Sequence, residues 1–343
     1  MKDVAAVAGV SLATVSRVVN GNDDVRGDLT ERVEKAIELL GYRRDLTATA
    51  LRRSDGLSAS VGLVVQDVSN PFFSSLYRGV EDAARAHAVL AFAGSSDDDP
   101  ERERELADAF TARRVDGLVI APSGGDETHL LRDRAAGVAL VFVDRPPRSM
   151  DADTVLSDNA GGIAEAIAHL VSGGHRRIAY LGDRQRIYTA GERLRGYREA
   201  LGRHGIPIEE ELIRLELSDS VSAQAAAGEL LRSDDPPTAL LAGQNLVTVG
   251  CLRAASELGR RREIAIVGFD EVDLGDVMDP GVTVIAQDPV EMGRRAAELL
   301  FARIDGDDRP CQKIVLPTRL IARGSGEIPP PGAPRPRRNR VAL

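Results

Sequence analysis

Tryptophan is absent from this chain of 343 residues, aromatic residues make up only 3% of it, and two cysteines occur. Cys251 and Cys311 stand alone, without the spacing of a metal site or a disulfide framework, which indicates a reducing compartment. No apolar run is long enough to span a bilayer, and the N-terminus reads as a polar helix rather than a signal peptide. These absences exclude a disulfide-rich secreted protein and an integral membrane protein.

Signatures of catalysis are also missing. The first predicted strand is followed by VVQDVSNPFF, which contains neither the GxGxxG fingerprint of a dinucleotide-binding dehydrogenase nor a phosphate loop. The five histidines are scattered, and no Ser-His-Asp, Cys-His or metal-spaced pair stands out among them. The run Asp97-Asp98-Asp99 is interpreted as a solvated loop and helix cap, because no partner ligands are spaced around it. We expect no enzyme activity, cofactor or metal.

The net charge of −9 does not by itself indicate a nucleic-acid partner. Residues 1–60 carry nine Lys and Arg against nine Asp and Glu, so an argument for DNA binding depends on where the charges lie. Three glutamates of a helix near residues 31–42 can point away from DNA. The arginines that can line a phosphate-facing side are Arg17, Arg26, Arg43, Arg44, Arg52 and Arg53.

Two short helices are predicted between residues 3 and 22. Val4–Ala8 forms the first, Gly9 relaxes the backbone, and Ser11 can cap a second helix over Leu12–Asn20. Valines spaced three or four apart (Val15, Val18 and Val19) form its inward stripe. A third helix follows, with a core stripe of Val33, Ile37 and Leu40 and a stop at Gly41.

The second helix has another face, formed by Leu12, Ala13, Ser16, Arg17 and Asn20. Small residues, hydrogen-bonding groups and one long cation suit a helix that lies in a DNA major groove. On spacing alone an ordinary helical hairpin explains the segment equally well.

From Ser58 onward, short continuous apolar runs alternate with amphipathic helices. Such alternation indicates parallel sheets covered on both faces, and the number of runs indicates two sheets. The fold class is therefore α/β. The predicted strands lie in SVGLVV (60–65), VLAFAG (89–94), GLVIAP (117–122), ALVFVD (139–144), RIAYLG (177–182), TALLAG (238–243) and IAIVGF (264–269).

The segments DVA, AGVS, TVSRVVNG and ERVEKAIELLGY, in this order, resemble the headpiece of the LacI/GalR family of bacterial transcriptional regulators. The resemblance extends along the whole chain. It implies a helix-turn-helix headpiece, a hinge, and a two-lobed domain of the periplasmic-binding-protein type. The implied divisions are headpiece 1–45, hinge 46–57, effector-binding and dimerisation domain 58–328 (lobe one 58–157 and 288–316, lobe two 158–287 and 317–328) and a disordered tail 329–343.

The resemblance also implies a function: a homodimer that binds a pseudo-palindromic double-stranded DNA operator and responds to a sugar-like or nucleoside-like effector, most often as a repressor in the cytoplasm. In the family the hinge becomes helical on DNA and a leucine, here Leu51 by position, wedges into the minor groove. A plain flexible linker is the alternative for that segment. The residues expected to contact DNA are Ser11, Leu12, Ala13, Thr14, Ser16, Arg17, Asn20, Arg26 and Leu51.

Ligands of open α/β sheets bind beyond the carboxyl ends of the strands, so polar residues at those ends are the candidates for the effector site. Arg193, in GERLRGY, matches the family arginine that holds effector oxygens, and Gln244-Asn245 stands where many relatives have Asn-Asp. His175 is expected to brace a turn. The residues expected to bind the effector are Phe72, Phe73, Asp144, Arg193, Gln244, Asn245, Asp270 and Gln287.

A second function fits the two lobes alone, that of an extracytoplasmic solute-binding protein. The headpiece and the absence of a signal peptide argue against it.

Overall fold

A computed structural model describes residues 1–19, 25–42 and 57–332 of the chain. Asn20, Leu51 and residues 46–56 of the predicted hinge lie outside the described residues, as do residues 333–343 of the predicted tail. The chain separates into two compact units, Met1–Ala59 and Ser60–Leu343.

The first unit contains three helices, α1 (Lys2–Ala8), α2 (Leu12–Val19) and α3 (Gly27–Leu40). Both glycines that follow a helix adopt the left-handed conformation that ends it, with φ of 63° at Gly9 and 55° at Gly41. One prediction for α3 was wrong, because Leu40 is 42% exposed and Ala36 takes its place in the core. The buried residues of this unit are Val4, Ala8, Val15, Val33 and Ala36.

The second unit begins with alternating strands and helices that build a first sheet. These elements are β1 (Ser60–Val65), α4 (Pro71–Ala86), β2 (Leu90–Ser95), α5 (Pro100–Ala112), β3 (Gly117–Ile120), a 3-10 turn (Glu127–His129), α6 (Leu130–Ala135), β4 (Ala139–Val143) and β5 (Asp153–Ser157).

A second series then builds another sheet. Its elements are α7 (Asn159–Ser172), β6 (Ile178–Leu181), α8 (Tyr188–Arg203), a 3-10 turn (Glu210–Leu212), β7 (Ile213–Arg214), α9 (Ser220–Arg232), β8 (Ala239–Ala242), α10 (Asn245–Glu257), β9 (Ala265–Phe269) and β10 (Thr283–Ala286).

Three elements complete the unit: α11 (Pro289–Ile304), β11 (Lys313–Leu316) and β12 (Arg319–Ile321). The first sheet has the order β11-β5-β4-β3-β1-β2 and is entirely parallel. The second has the order β12-β10-β9-β8-β6-β7, in which β12 runs antiparallel to β10 and the remaining pairs are parallel. We call these sheets with their helices the first and second lobes. The α/β alternation predicted from the sequence is confirmed.

The chain passes between the lobes three times: between β5 and α7, between β10 and α11, and between β11 and β12. Helix α11 returns to the first lobe and packs on α4, where Gly79 lies against the main chain of Val290 and Gly293 lies against that of Leu76. A side chain at either glycine would collide with backbone, so these two positions set the close approach of the helices. No described helix is both long and apolar enough to cross a membrane.

Candidate functional site

Helix α2 of the first unit begins as the sequence predicts. The Ser11 hydroxyl accepts a hydrogen bond from the main-chain N–H of Thr14 at 3.1 Å and contacts the Thr14 hydroxyl at 2.9 Å. This cap satisfies an N–H group of the first turn that would otherwise lack a partner in the helix. The predicted N-cap role of Ser11 is confirmed, and Ser11 and Thr14 belong to the local structure of the helix.

Two sides of α2 differ in exposure. Val15 is fully buried against α1 and α3, whereas Leu12, Ala13 and Arg17 are exposed and Ser16 is half-buried. Leu12 leaves 46% of its surface exposed, although it is a large apolar residue. Arg26, which precedes α3, is also exposed and lies 3.7 Å from Asp28. The helix therefore presents a side with an apolar residue, a small residue and a cation, held in place by the core beneath it.

In the second unit, a cleft opens between the carboxyl ends of the strands of the two lobes. It brings together all eight residues expected to bind the effector, together with five further polar residues and Ile187. Its lining consists of Gln66, Asn70, Phe72, Phe73, Asp144, Arg145, Asp183, Ile187, Thr189, Arg193, Gln244, Asn245, Asp270 and Gln287.

Asp144 and Asp270 hold matching positions in the two lobes. Each directly follows the fourth strand of its sheet in chain order, β4 or β9, with φ of 63° and 71° respectively. Each main-chain N–H donates to the next strand along the chain, to Val155 O at 3.0 Å or Ile285 O at 2.8 Å. Non-glycine residues seldom adopt this conformation, so both aspartates are held in it by their surroundings.

Arg145 is the centre of a buried cluster in the first lobe. Its guanidinium donates to Asp98 Oδ1 at 2.6 Å, to Pro122 O at 3.0 Å and to Asp144 Oδ2 at 3.2 Å. Its side chain is 6% exposed, and that of Asp98 is 1% exposed. The interpretation of Asp97–Asp99 as a solvated loop was therefore wrong for Asp98, whereas Asp99 does cap α5 by accepting from the N–H of Glu101.

Arg193 is the corresponding cation of the second lobe. It donates to Asn159 Oδ1 and to Gly243 O, each at 2.7 Å, and its guanidinium carbon lies 3.8 Å from the centre of the Phe269 ring. The nearest carboxylate oxygen, Asp270 Oδ2, is 3.9 Å away. The interaction with Asp270 is thus an ion pair beyond hydrogen-bond distance.

Side-chain amides link the remaining polar groups. Asn245 donates to Asn70 Oδ1 at 2.9 Å, which joins the second lobe to the first. Gln244 donates to Asp183 Oδ2 at 3.1 Å, and Gln287 donates to Asp270 Oδ1 at 2.6 Å. The amides therefore position carboxylates and the opposing lobe. Gln244 and Asn245 also cap α10, because both accept a hydrogen bond from the N–H of Leu246 at its start.

Phe72 and Phe73 serve two purposes. Both are buried in the core of the first lobe and meet edge to face, with ring centres 5.0 Å apart. They also line the cleft, so they form its apolar floor.

Burial raises the pKa of the Asp144, Asp183 and Asp270 carboxyl groups above the ordinary aspartate value. Nearby guanidiniums oppose this shift but do not cancel it, since desolvation disfavours the charged form. Burial acts in the opposite direction on Arg145, but the carboxylates of Asp144 and Asp98 outweigh it and raise the Arg145 pKa. Arg145 is therefore charged at every physiological pH.

Arginines from both lobes cross the mouth of the cleft in opposite directions. Arg186 of the second lobe donates to Asp98 O and Ser123 O of the first lobe, at 3.3 Å each. Arg148 of the first lobe donates to Arg186 O at 3.0 Å. The free space inside amounts to about 50 Å³, which holds a few waters but not a sugar ring, so this is a closed arrangement.

Sequence reasoning missed Asp98, Asp183 and the arginines at the mouth. Asp183 carried a usable signal, because it follows β6 by two residues, at the end of the strand where ligands bind. His175 is fully buried and joins Thr238 Oγ1 and Ile328 O through its two ring nitrogens, so its predicted bracing role is confirmed.

Two family models match the chain. The model for bacterial regulatory proteins of the lacI family matches residues 1–45, and that for a periplasmic binding protein-like domain matches residues 167–326. Among curated proteins, the chain is 32% identical to the HTH-type transcriptional regulator PtxS of Pseudomonas aeruginosa over 95% of both chains. It is 30% identical to the HTH-type transcriptional repressor CytR of Escherichia coli, again over 95% of both chains.

Solved structures give the same result. A lac repressor dimer bound to operator and the anti-inducer ONPF is 26% identical, with a TM-score of 0.80, over 94% of this chain and 98% of that one. A complex of the transcriptional regulator CelR with cellobiose is 33% identical, with a TM-score of 0.69, over 95% and 99% of the two chains.

Proposed function

The chain belongs to the lacI family of bacterial regulatory proteins, which are ligand-responsive, DNA-binding transcriptional regulators, and from that premise we propose how its own residues act. It binds a pseudo-palindromic operator as a homodimer and represses transcription under the control of a small molecule in the cleft. Each predicted segment has its own function: residues 1–45 bind DNA, residues 46–57 act as the hinge, and residues 58–328 bind the effector. The observation that carries the proposal is the exposed Leu12, Ala13 and Arg17 side of α2 above the buried Val15.

Helix α2 reads base edges in the major groove. Arg17 supplies donors, while the short apolar side chains of Leu12 and Ala13 suit contact with thymine methyl groups. Arg26 supplies a phosphate contact from the start of α3, and Ser11, Thr14, Ser16 and Asn20 complete the set.

Operator binding tests this assignment. Arg17→Ala is expected to weaken specific binding roughly 10- to 100-fold, because a guanidinium–base contact is lost. Lys35→Ala is the matched control, since Lys35 is an exposed cation of the same unit that pairs with Glu31 on α3. Fluorescence anisotropy with a palindrome selected from genomic fragments, at fixed salt, measures both. Equal losses in the two variants would mean that α2 does not read the operator.

The hinge assignment has a separate test. If Leu51 wedges into the minor groove, Leu51→Ala lowers specific affinity more than non-specific affinity, because the bend that it stabilises forms only on the operator. Equal weakening would contradict the wedge.

A small polar molecule of the sugar or nucleoside class occupies the cleft. Phe72 and Phe73 form an apolar floor for its ring, and the surrounding carboxylates, amides and Arg193 bind its polar groups. Closed and open arrangements of the lobes favour different hinge states, so operator and effector change each other's affinity by the same factor. Asp270→Ala is expected to leave operator binding intact and to abolish its response to the ligand.

Dimerisation is supported by exposed apolar residues in both lobes. Leu90 and Phe92 lie on β2, the edge strand of the first sheet, and are 56% and 46% exposed. Leu274 and Val277 of the second lobe are 71% and 72% exposed. Burying such residues against a second copy removes apolar surface from water and covers a sheet edge.

Light scattering coupled to size exclusion tests the dimer. Phe92→Glu is expected to shift the protein toward the monomer, because a charge would enter the proposed interface. Val221→Glu, at another apolar position that is 71% exposed, is the control and is expected to leave the mass unchanged. A dimer that survives Phe92→Glu, or a wild-type monomer, would refute this part of the proposal.

As a DNA-bound regulator the protein acts in the cytoplasm, where the chromosome lies. We assign it no catalytic step, because its relatives are transcriptional regulators and the polar residues of the cleft pair with one another.

A further inference from the structure

The charges around the cleft do not balance. Two guanidiniums, those of Arg145 and Arg193, are buried there. Four carboxylates lie around them. Those of Asp144 from the first lobe and of Asp183 and Asp270 from the second line the cleft, and that of Asp98 from the first lobe is buried against Arg145. When all are ionised, this set carries two more negative than positive charges.

Two of the three nitrogens of each guanidinium, Nε and Nη1, are already engaged. Arg145 donates hydrogen bonds to the Asp98 and Asp144 carboxylates and to Pro122 O. Arg193 donates to Asn159 Oδ1 and Gly243 O and lies over the Phe269 ring. Arg184 and Arg186, nearer the surface, donate to the Ser218 hydroxyl and to main-chain carbonyls. A ligand anion at the remaining nitrogen of either guanidinium would also meet the negative charges of Asp144 and Asp270, which line the same cleft.

Acceptors, in contrast, are left over. Gln287 Oε1, on a residue that lines the cleft, is buried and has no hydrogen-bond partner among the described residues, and neither has Asp98 Oδ2, which lies beside Arg145. Asp98 as a whole is 3% exposed, so water does not reach this oxygen freely. Asp270 Oδ2 has its nearest cation 3.9 Å away. Unsatisfied acceptors of this kind favour a ligand that donates hydrogen bonds.

Closure of the lobes brings like charges toward each other. Burial is the main cause of the raised pKa of Asp183 and Asp270, and a negative charge in the opposite lobe, that of Asp98 for Asp183 and that of Asp144 for Asp270, raises each pKa further. Two carboxylates that repel across a closed cleft are stabilised by a cation between them, and a neutral ligand cannot supply this stabilisation.

We propose that the effector carries a protonated amine together with hydroxyl groups, as an amino sugar does, and that its ammonium lies between the carboxylates of Asp183 and Asp270 in the second lobe and those of the first. Its hydroxyls donate to the remaining acceptors, and its ring lies on Phe72 and Phe73. Asp183 then selects the ligand class, a role that the sequence did not suggest. This inference rests on the proposed function, because it takes the cleft to be the effector site.

Calorimetry on the full chain tests the class directly. The probes are hexosamines of gluco, galacto and manno configuration, the matching N-acetylhexosamines, in which the amine is an uncharged amide, and the matching neutral hexoses and hexuronates. We expect a hexosamine to bind at least about tenfold more tightly than the other three forms of the same sugar, because only it forms charge-assisted bonds with the carboxylates.

Variants locate the bound amine. Asp183→Asn is expected to lower hexosamine affinity about tenfold, since it removes one charge and keeps the shape of the side chain. Asp234→Asn is the matched control, because Asp234 is an exposed aspartate of the same lobe outside the cleft, and it is expected to leave the affinity unchanged.

Several outcomes would overturn the inference: tighter binding of a neutral, acetylated or acidic sugar, an affinity insensitive to Asp183→Asn, or no hexosamine binding at all. Operator binding, measured alongside, separates the two proposals. If a neutral or acidic sugar binds and alters operator affinity, the proposed regulatory function is supported and the proposed amine class of the effector is refuted. If a hexosamine binds through Asp183 without altering operator affinity, the proposed amine class of the ligand is supported and the regulatory role of the cleft is refuted.

Discussion

The two lobes place an aspartate at the same structural position but surround it differently. Asp144 of the first lobe accepts a hydrogen bond at 3.2 Å from Arg145, which is also bound to Asp98 at 2.6 Å. Asp270 of the second lobe has Arg193 only at 3.9 Å and an uncharged amide, Gln287, at 2.6 Å. The first lobe holds a guanidinium at hydrogen-bond distance from its aspartate, and the second lobe leaves its aspartate without one. Equivalent positions can thus serve stability in one lobe and binding in the other.

The largest expected effect is on the free energy of unfolding, which substitution of Arg145 should lower more than substitution of Arg193. Arg145→Ala leaves two buried carboxylates without their cation and is expected to lower the free energy of unfolding by about 3–5 kcal/mol. Arg193→Ala strips hydrogen bonds from Asn159 and Gly243 O and is expected to lower it by about 2 kcal/mol. Urea unfolding at neutral pH measures both. Equal losses would show that the first lobe is no more dependent on its ion pairs than the second.

For ligand binding, we expect the larger effect from a substitution in the second lobe rather than in the first. Asp270→Asn is expected to weaken hexosamine binding about tenfold, whereas Asp144→Asn weakens it about threefold, because Arg145 already neutralises Asp144. Calorimetry on the two variants measures the ratio. A larger effect at Asp144 would refute the comparison between the lobes.

Substitution of an arginine at the mouth of the cleft is expected to have a smaller effect. Arg186→Ala removes the three hydrogen bonds from this side chain to Asp98 O and Ser123 O of the first lobe. It is expected to change the free energy of unfolding by less than about 1 kcal/mol, because the side chain is exposed. Its effect should instead be a larger radius of gyration in small-angle scattering without ligand. Arg198→Ala, which removes a surface pair with Glu210 in the same lobe, should leave the radius unchanged.

The smallest effect concerns Asp183 and pH. Burial raises its pKa in the folded state, so the folded protein binds this proton more tightly than the unfolded chain. The stability that this provides is complete below the unfolded pKa and is lost as pH rises through the folded value. Asp183→Asn should therefore raise Tm at neutral pH, and the gain should shrink as pH falls toward the ordinary aspartate pKa. A gain independent of pH would contradict a role for the Asp183 charge.

Much of the architecture was predictable because it depends on patterns that are local in sequence. Apolar runs identified seven of the strands. Strands β5, β7 and β12 were missed, because none of them contains a continuous run of four apolar residues. The strand-end rule and the family resemblance together predicted eight cleft residues, but neither could distinguish Asp98 from its acidic neighbours. Asp97 and Asp98 both adopt positive φ, and only the turn they form decides which of them faces inward.

By itself, the sequence determined the α/β alternation, the capped helix at Ser11 and the set of polar residues at the strand ends, because caps and periodicity involve residues only a few positions apart. The tertiary structure alone decided which charges meet. Asp98 and Arg145 are 47 residues apart in the chain, and Asn70 and Asn245 are 175 apart. The first pair depends on how distant segments pack within one lobe, and the second depends on how the two lobes close on each other. No local sequence pattern encodes either arrangement.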